Sequence, residues 1–378
     1  MPCIACNPSD LLAFVAKPIL PQRSHVKRSP RLRQTFTLIL NQYKAVKLTK
    51  WDPQGFDGLE IQDVHKPEIG SAEVLVRVKL RPVNPADISL IQGRMGRPPL
   101  PLIPGTEGLG VVEECGPEVK RFQAGQRVVC VPSKAWSALD GSGSWQQVML
   151  VPEANLYPVP DEVVDKVAAQ FSVTTLTVYA LLEAAAAASE GKWLAQTAGG
   201  SFLGRQVISL AKHRGIKVVN LVRRAAQKEE LLSLGTDAVV ATDGSDGDVT
   251  AKILECTGGQ GVSAALDCVG GDATRAVTAS LLPGGSTIIY GALGGPVLQM
   301  NILDVFLGKS LKPFILRQWL SGMDNERREQ VLGETMSLLR QGIIEPYTGK
   351  VFALEEARAA AAESIREGRG GKVYIASE

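Results

Sequence analysis

Apolar and polar positions alternate with a period of two through Tyr43-Lys-Ala-Val-Lys-Leu48, and more clearly through Val74-Leu-Val-Arg-Val-Lys-Leu80. That spacing places every second side chain on one face and predicts half-buried strands. Glu113–Pro117, Phe122–Gly125 and Arg127–Val131 continue the texture, and Gly or Pro recurs every few residues as far as Val151. Short strands with such frequent turn residues predict a small β-barrel. Ser142-Gly-Ser144 reads as a loop tip within it.

The period changes near Asp161. Glu162–Leu182 has helical spacing, with Asp161 placed to cap it. Strand and helix patterns then alternate. Leu194–Thr197 leads into Phe202–Lys212, and Val218–Val222 into Gln227–Leu234. Ala238–Ala241, Ala264–Val269 and Gly285–Ala292 read as strands, with Asp272–Leu281 helical between the last two. This alternation predicts an α/β fold with a doubly wound parallel sheet. From about Arg317 the first texture returns. Helices over Arg327–Arg340 and Glu355–Gly368 precede a last strand, Gly371–Ile375. That segment is expected to pack back onto the first domain, making the doubly wound domain an insertion.

The turn after Leu194–Thr197 is Ala198-Gly-Gly-Ser-Phe-Leu-Gly204. Small residues there let backbone N–H groups approach a pyrophosphate at a helix N-terminus, and Gly204 permits close packing of helix on strand. A glycine-rich turn is a weak signal by itself. Strand before, helix after and a second strand at the right distance make it a dinucleotide site. An acid after that second strand would bond the ribose 2′-hydroxyl of NADH. Arg223 and Arg224 stand there instead, offering guanidinium donors to the 2′-phosphate of NADPH. The structural alternative is a solvated basic pair.

Composition narrows the classes that remain. The chain of 378 residues is long enough for two domains, and its 45% hydrophobic and 21% charged content fits a globular protein. The first 40 residues hold Lys17, Arg23, Lys27, Arg28, Arg31 and Arg33 against Asp10 alone, so the body carries −3 where the whole chain carries +2. A mildly acidic body has no nucleic-acid footprint. A basic, acid-poor leader resembles an organelle transit peptide, mitochondrial rather than plastid, and a cytoplasmic protein follows if it is not one. No apolar run reaches the roughly 20 residues of a membrane helix. Cys3 and Cys6 lie in the leader, and the other four cysteines are scattered, as small buried hydrophobes would be. Of three His, His25 is in the leader, His65 in a polar turn region and His213 near a helix end, and no cluster has zinc spacing. No metal site is expected.

Asn84-Pro-Ala-Asp87, Ile91-Gln-Gly93, Pro104-Gly-Thr-Glu-Gly-Leu-Gly-Val-Val112 and Gly368-Arg-Gly-Gly-Lys-Val-Tyr374 resemble the medium-chain dehydrogenase/reductase superfamily, from about Tyr43 onward. The resemblance implies a GroES-like β-barrel domain with an inserted Rossmann domain. Expected boundaries are a leader at 1–40, barrel at 41–165, NADPH-binding domain at 166–312 and a return to the barrel at 313–378. The zinc alcohol dehydrogenases have a His where Thr106 stands, and their four-Cys lobe is missing here. The chain is therefore similar to the zinc-free branch, which reduces quinones, enones and enoyl thioesters with NADPH.

Within that branch Asn84–Ile88, Asp267–Gly271, Tyr290-Gly291 and Phe314–Trp319 look most like the mitochondrial trans-2-enoyl-CoA/ACP reductases. The resemblance implies cofactor contacts at Thr174, at Gly200, Ser201, Phe202, Leu203 and Gly204, at Arg223 and Arg224, at Tyr290, Gly291, Ala292 and Leu293, at Phe314, Ile315, Leu316 and Arg317, and at Lys372. Thr174 replaces the family's usual Asn, and Ile315 its usual Trp. Asn84, Asp87 and Met95 are the candidate pocket residues. Met95 stands where the enoyl reductases have a Tyr proton donor, and a thioether cannot donate a proton. Asn84 and Asp87 also read as loop caps, Glu107 and Tyr179 as structural, and Trp145 and Trp319 as pocket lining or packing.

The expected activity is hydride transfer from NADPH to an activated C=C bond or a quinone. The alternative is a non-catalytic NADPH-binding or redox-sensing protein on the same fold. A homodimer through edge-to-edge pairing of Rossmann sheets is expected from the resemblance.

Overall fold

The computed structural model describes residues 42–94, 96–132, 143–185 and 192–377. Expectations for the leader, for Met95 and for Ser142 lie outside these residues.

The alternating segments form strands. β1 (Gln42–Leu48) pairs with β2 (Leu59–His65) in a two-stranded sheet, so His65 ends a strand. β3 (Glu73–Pro82), β4 (Gly108–Cys115), β5 (Arg127–Cys130), β6 (Val148–Pro152) and β7 (Leu156–Pro158) belong to the larger barrel sheet. A second, six-stranded sheet is built from β8 (Trp193–Gln196), β9 (Lys217–Val222), β10 (Ala238–Ala241), β11 (Val262–Asp267), β12 (Leu281–Ile289) and β13 (Ser310–Pro313). Its order is β10-β9-β8-β11-β12-β13, and every pair is parallel. The order reverses between β8 and β11, the switch point of a doubly wound nucleotide-binding sheet. β14 (Thr348–Ala353) and β15 (Lys372–Ala376) then rejoin the barrel, where Tyr374 lies opposite Pro82 in an antiparallel β15–β3 pair. The α/β architecture of a GroES-like barrel with an inserted Rossmann sheet is thus what the chain adopts.

One hydrophobic cluster links the two sheets. It joins Leu80, Leu109 and Tyr157 of the barrel to Leu194 and Leu266 of the Rossmann sheet and to Val207 of the helix Phe202–His213. Val331, Met336 and Leu339 of the helix Asn325–Arg340 complete it. Trp145 is fully buried in a separate barrel cluster, so it packs.

Two local expectations are corrected. Ser144 is fully buried, not at a loop tip: its Oγ donates to the Glu107 carbonyl at 2.6 Å, and its own carbonyl accepts from Arg81 Nε at 3.0 Å. Gly143 has no room for a Cβ because the Ile103 and Pro104 carbonyls occupy that space. Small residues here serve a close backbone crossing, which looks like a loop in sequence. The helix expected over Glu162–Leu182 is broken into Asp165–Ala168, a π turn at Phe171–Thr175 and Leu176–Ala184, and Val164 rather than Asp161 precedes its first turn. The Thr175 N–H reaches back five residues to the Gln170 carbonyl at 3.1 Å. Such π turns are rare and concentrate at functional sites.

Candidate active site

Parallel strands put all their carboxyl ends on one edge, and ligands of doubly wound folds bind outside that edge at the switch point. Candidate cofactor residues follow four of these strands. Gly200–Gly204 follow β8, Arg223 and Arg224 follow β9, and Tyr290–Leu293 follow β12. Phe314–Arg317 follow β13, and Asp267 ends β11. The buried Asp267 carboxylate accepts from Thr197 Oγ1 at 2.7 Å and from the Val269 N–H at 2.8 Å, tying the turns after β8 and β11 together.

The turn after β8 has the geometry that close approach requires. Ser201 caps the helix Phe202–His213 by accepting the Gly204 N–H on its Oγ at 3.0 Å. A Cβ on Gly204 would lie 2.7 Å from the carbonyl oxygens of both Ala198 and Gly199, so helix and turn are in contact there. His213 closes the same helix and is exposed, where a cation favours the dipole. Leu293, Ile315 and Arg317 are exposed at the rim, and the Tyr290 hydroxyl is buried without a hydrogen-bond partner.

The barrel contributes a buried polar network. Asn84 precedes the helix Pro85–Ile91, and its N–H donates to Asp87 Oδ2 at 2.8 Å, a local cap. Its side chain does something else. Asn84 Nδ2 donates to Glu107 Oε1 at 2.9 Å and to Thr106 Oγ1 at 3.1 Å, while Asn84 Oδ1 accepts from Lys372 Nζ. Glu107 Oε2 accepts the N–H groups of Ser172 at 3.0 Å and Val173 at 2.8 Å, holding the π turn that carries Thr174. The network therefore joins Asn84, Glu107, Lys372 and the Thr174 segment. Asp87, Glu107 and Lys372 are all essentially inaccessible.

Burial governs their charge. It pushes Asp87 up to about 6 and Glu107 up to about 7, against hydrogen bonds that favour ionisation, and lowers Lys372 to about 8 despite the nearby carboxylates. Asp87 Oδ1 has no hydrogen-bond partner. Lys372 is thus a buried partner of Asn84 and not a solvated lysine.

Several residues here were not among the candidates. Tyr347 stacks on Phe202 at 6.3 Å between ring centroids. Arg369 sits 4.8 Å over the Phe202 ring, and Lys372 Nζ is 5.6 Å from its centroid. Glu367 bridges Arg223 and Arg224 at 2.9 and 3.0 Å. These contacts carry the C-terminal barrel segment onto the turns after β8 and β9. Glycines around Arg369 were the only sequence cue, and nothing in the spacing pairs Glu367 with arginines 143 residues away. Tyr179 donates to Glu334 Oε2 at 2.5 Å, and burial raises its hydroxyl to about 12, consistent with packing. Among the described residues no group of three or more His, Cys, Asp and Glu is gathered as metal ligands.

A closely packed glycine turn, a capped helix and an arginine pair after the next strand fit a dinucleotide. Residues 70–161 match the alcohol dehydrogenase GroES-like domain and residues 203–329 the zinc-binding dehydrogenase family. A mitochondrial enoyl-[acyl-carrier-protein] reductase of Arabidopsis thaliana is 30% identical over 345 residues, covering 87% of this chain and 88% of the relative. The structure of a Pseudomonas syringae quinone oxidoreductase is similar at 26% identity and a TM-score of 0.78, over 89% of this chain and 100% of that one. A mycobacterial protein solved in complex with NADPH is similar at 25% identity and a TM-score of 0.77, over 89% of this chain and 100% of that one. The chain belongs to the quinone/enoyl reductase branch of the medium-chain dehydrogenase/reductase superfamily.

Proposed function

We propose that the protein is an NADPH-dependent, zinc-independent reductase of activated C=C bonds or quinones. The observation that carries the cofactor choice is the arginine pair directly after β9, where an NADH enzyme needs an acid. Bound in the cleft, the reduced nicotinamide supplies the hydride. The chain's part is to hold and orient. Ser201 to Gly204 form the pyrophosphate turn, Arg223 and Arg224 the 2′-phosphate corner, and the segments after β12 and β13 the nicotinamide end. Asn84, Thr174 and Met95 shape the nicotinamide side, with Asn84 fixed by Lys372 and Glu107. On this reading residues 41–165 and 313–378 form the catalytic lobe and residues 166–312 the cofactor lobe.

The curated relative's name points to enoyl thioesters and the solved relative's name to quinones. Met95 favours acceptors that need no acid from the protein, because a quinone takes its protons from solvent while an enolate carbon needs a donor. The mitochondrion fits both the basic leader and the relative's name. A homodimer is proposed along the free edge of β13; Ile302, Leu303 and Phe306 of the helix that precedes β13 in sequence are 64%, 68% and 78% exposed. A monomer by light scattering would exclude it. Among the described residues no helix is long and apolar enough to cross a membrane.

The deciding experiment is an NADPH- and NADH-oxidation screen across short enoyl-CoA thioesters, enones and quinones. Turnover of at least one acceptor with preference for NADPH is expected. NADPH binding without turnover of any acceptor would favour the non-catalytic reading, and failure to bind NADPH would remove the proposal altogether.

A further inference from the structure

The loop between the helix Ala357–Ile365 and β15 reads Arg366-Glu-Gly-Arg-Gly-Gly371. Its anion, not its cations, meets the arginine pair. Arg366 is held by Glu363 on its own helix at 2.8 Å, and Arg369 lies over Phe202. Glu367 instead places Oε1 2.9 Å from Arg223 Nη2 and Oε2 3.0 Å from Arg224 Nη1. One carboxylate thus spreads its two oxygens over two guanidiniums, the same acceptor pattern a phosphate offers. This deepens the NADPH reading above and rests on it.

We infer that Glu367 is a specificity-determining residue, a resident carboxylate that competes with the cofactor's 2′-phosphate for Arg223 and Arg224. A phosphate carries close to two charges and an additional acceptor oxygen, so it displaces the carboxylate. A 2′-hydroxyl carries no charge and leaves Glu367 where it is. Competition therefore lowers affinity for phosphorylated nucleotides only, which eases release of NADPH and narrows its discrimination from NADH. The same loop carries Arg369 and leads into Lys372, both against Phe202.

All three charges are largely exposed, with Arg223, Arg224 and Glu367 side chains at 75%, 46% and 61%, so the competing contact is modest. Removing it should tighten binding of a 2′-phosphorylated nucleotide by about threefold to tenfold. The test is calorimetric titration of the full-length protein, with Glu367→Gln and Glu367→Ala beside wild type. The ligands are adenosine 2′,5′-bisphosphate and adenosine 5′-monophosphate. Tighter bisphosphate binding in both variants, with unchanged monophosphate binding, supports the inference. Unchanged or weaker bisphosphate binding overturns it, as does weaker monophosphate binding, which would make Glu367 a ribose ligand instead. If wild type binds both nucleotides equally, the NADPH reading itself falls, and this inference with it.

Discussion

Replacing Glu107 by Gln sets burial against hydrogen bonding at a single carboxylate. Three N–H groups converge on it: Asn84 Nδ2 on one oxygen, and the Ser172 and Val173 backbones on the other. A Gln carbonyl can serve one side only, and its amide then faces a donor on the other. Each buried donor left unpaired costs about 1–3 kcal/mol. The opposing effect is ionisation. Burial raises the carboxyl from 4.5 to about 7, so keeping it charged in the folded protein costs about 3 kcal/mol above that pH. The folded value lies above the unfolded one, so the wild type holds its full stability below pH 4.5 and loses this part as pH climbs through 7. Gln has no such loss. Wild type should therefore lose stability relative to Glu107→Gln as pH rises from 5 to 8, because a protonated carboxyl and a Gln amide present the same single carbonyl to these donors. Urea unfolding followed by tryptophan fluorescence at pH 5, 6, 7 and 8 measures the difference. A difference that stays constant, or moves in favour of wild type as pH rises, would refute the reasoning. A move in favour of wild type would mean that attraction to Lys372 outweighs burial.

Other perturbations address the remaining parts. Arg223→Ala with Arg224→Ala removes the charged donors from the phosphate corner. It should weaken adenosine 2′,5′-bisphosphate binding by about tenfold to a hundredfold and leave adenosine 5′-monophosphate binding alone; equal losses for both would count against a phosphate role. Gly204→Ala puts a Cβ 2.7 Å from two backbone oxygens that cannot retreat. It should cost about 1–3 kcal/mol and lower cofactor affinity, read by thermal unfolding and NADPH fluorescence titration; an unchanged protein would contradict the close packing. Met95→Tyr restores a hydroxyl where the enoyl reductases have one. Enoyl-CoA turnover should rise by about a hundredfold, with quinone turnover unchanged; no gain would place the proton source elsewhere.

Patterns confined to a short stretch were legible, and contacts across the chain were not. The period of two in Val74–Leu80 and the strand–turn–helix of Leu194–His213 record which local face is buried, so the barrel strand and the nucleotide turn followed directly. Once the strands are parallel, every loop after them lands on one edge. That is why Arg223, read from the strand pattern, lies at the same edge as Tyr290 and Phe314, which the family resemblance supplied. The helix break at Phe171–Thr175 had no such trace. Its apolar spacing is continuous, and the groups that occupy its N–H donors belong to Glu107, 65 residues earlier. Charged side chains misled for a related reason. Composition says nothing about burial, yet Arg81, Glu107 and Lys372 are each at most 2% exposed. A usable cue did exist beside Glu107. It is bracketed by Gly105, at φ +111° and with no space for a Cβ beside Ser144 and Trp145, and by Gly108, whose Cβ would lie 2.9 Å from Val78. An acid between two such glycines has neighbours where solvent would be. The capping reading of Asn84 is realised by its backbone N–H, while its amide side chain links Glu107 to Lys372. Loop chemistry and site chemistry use different atoms of one residue, so neither reading excludes the other.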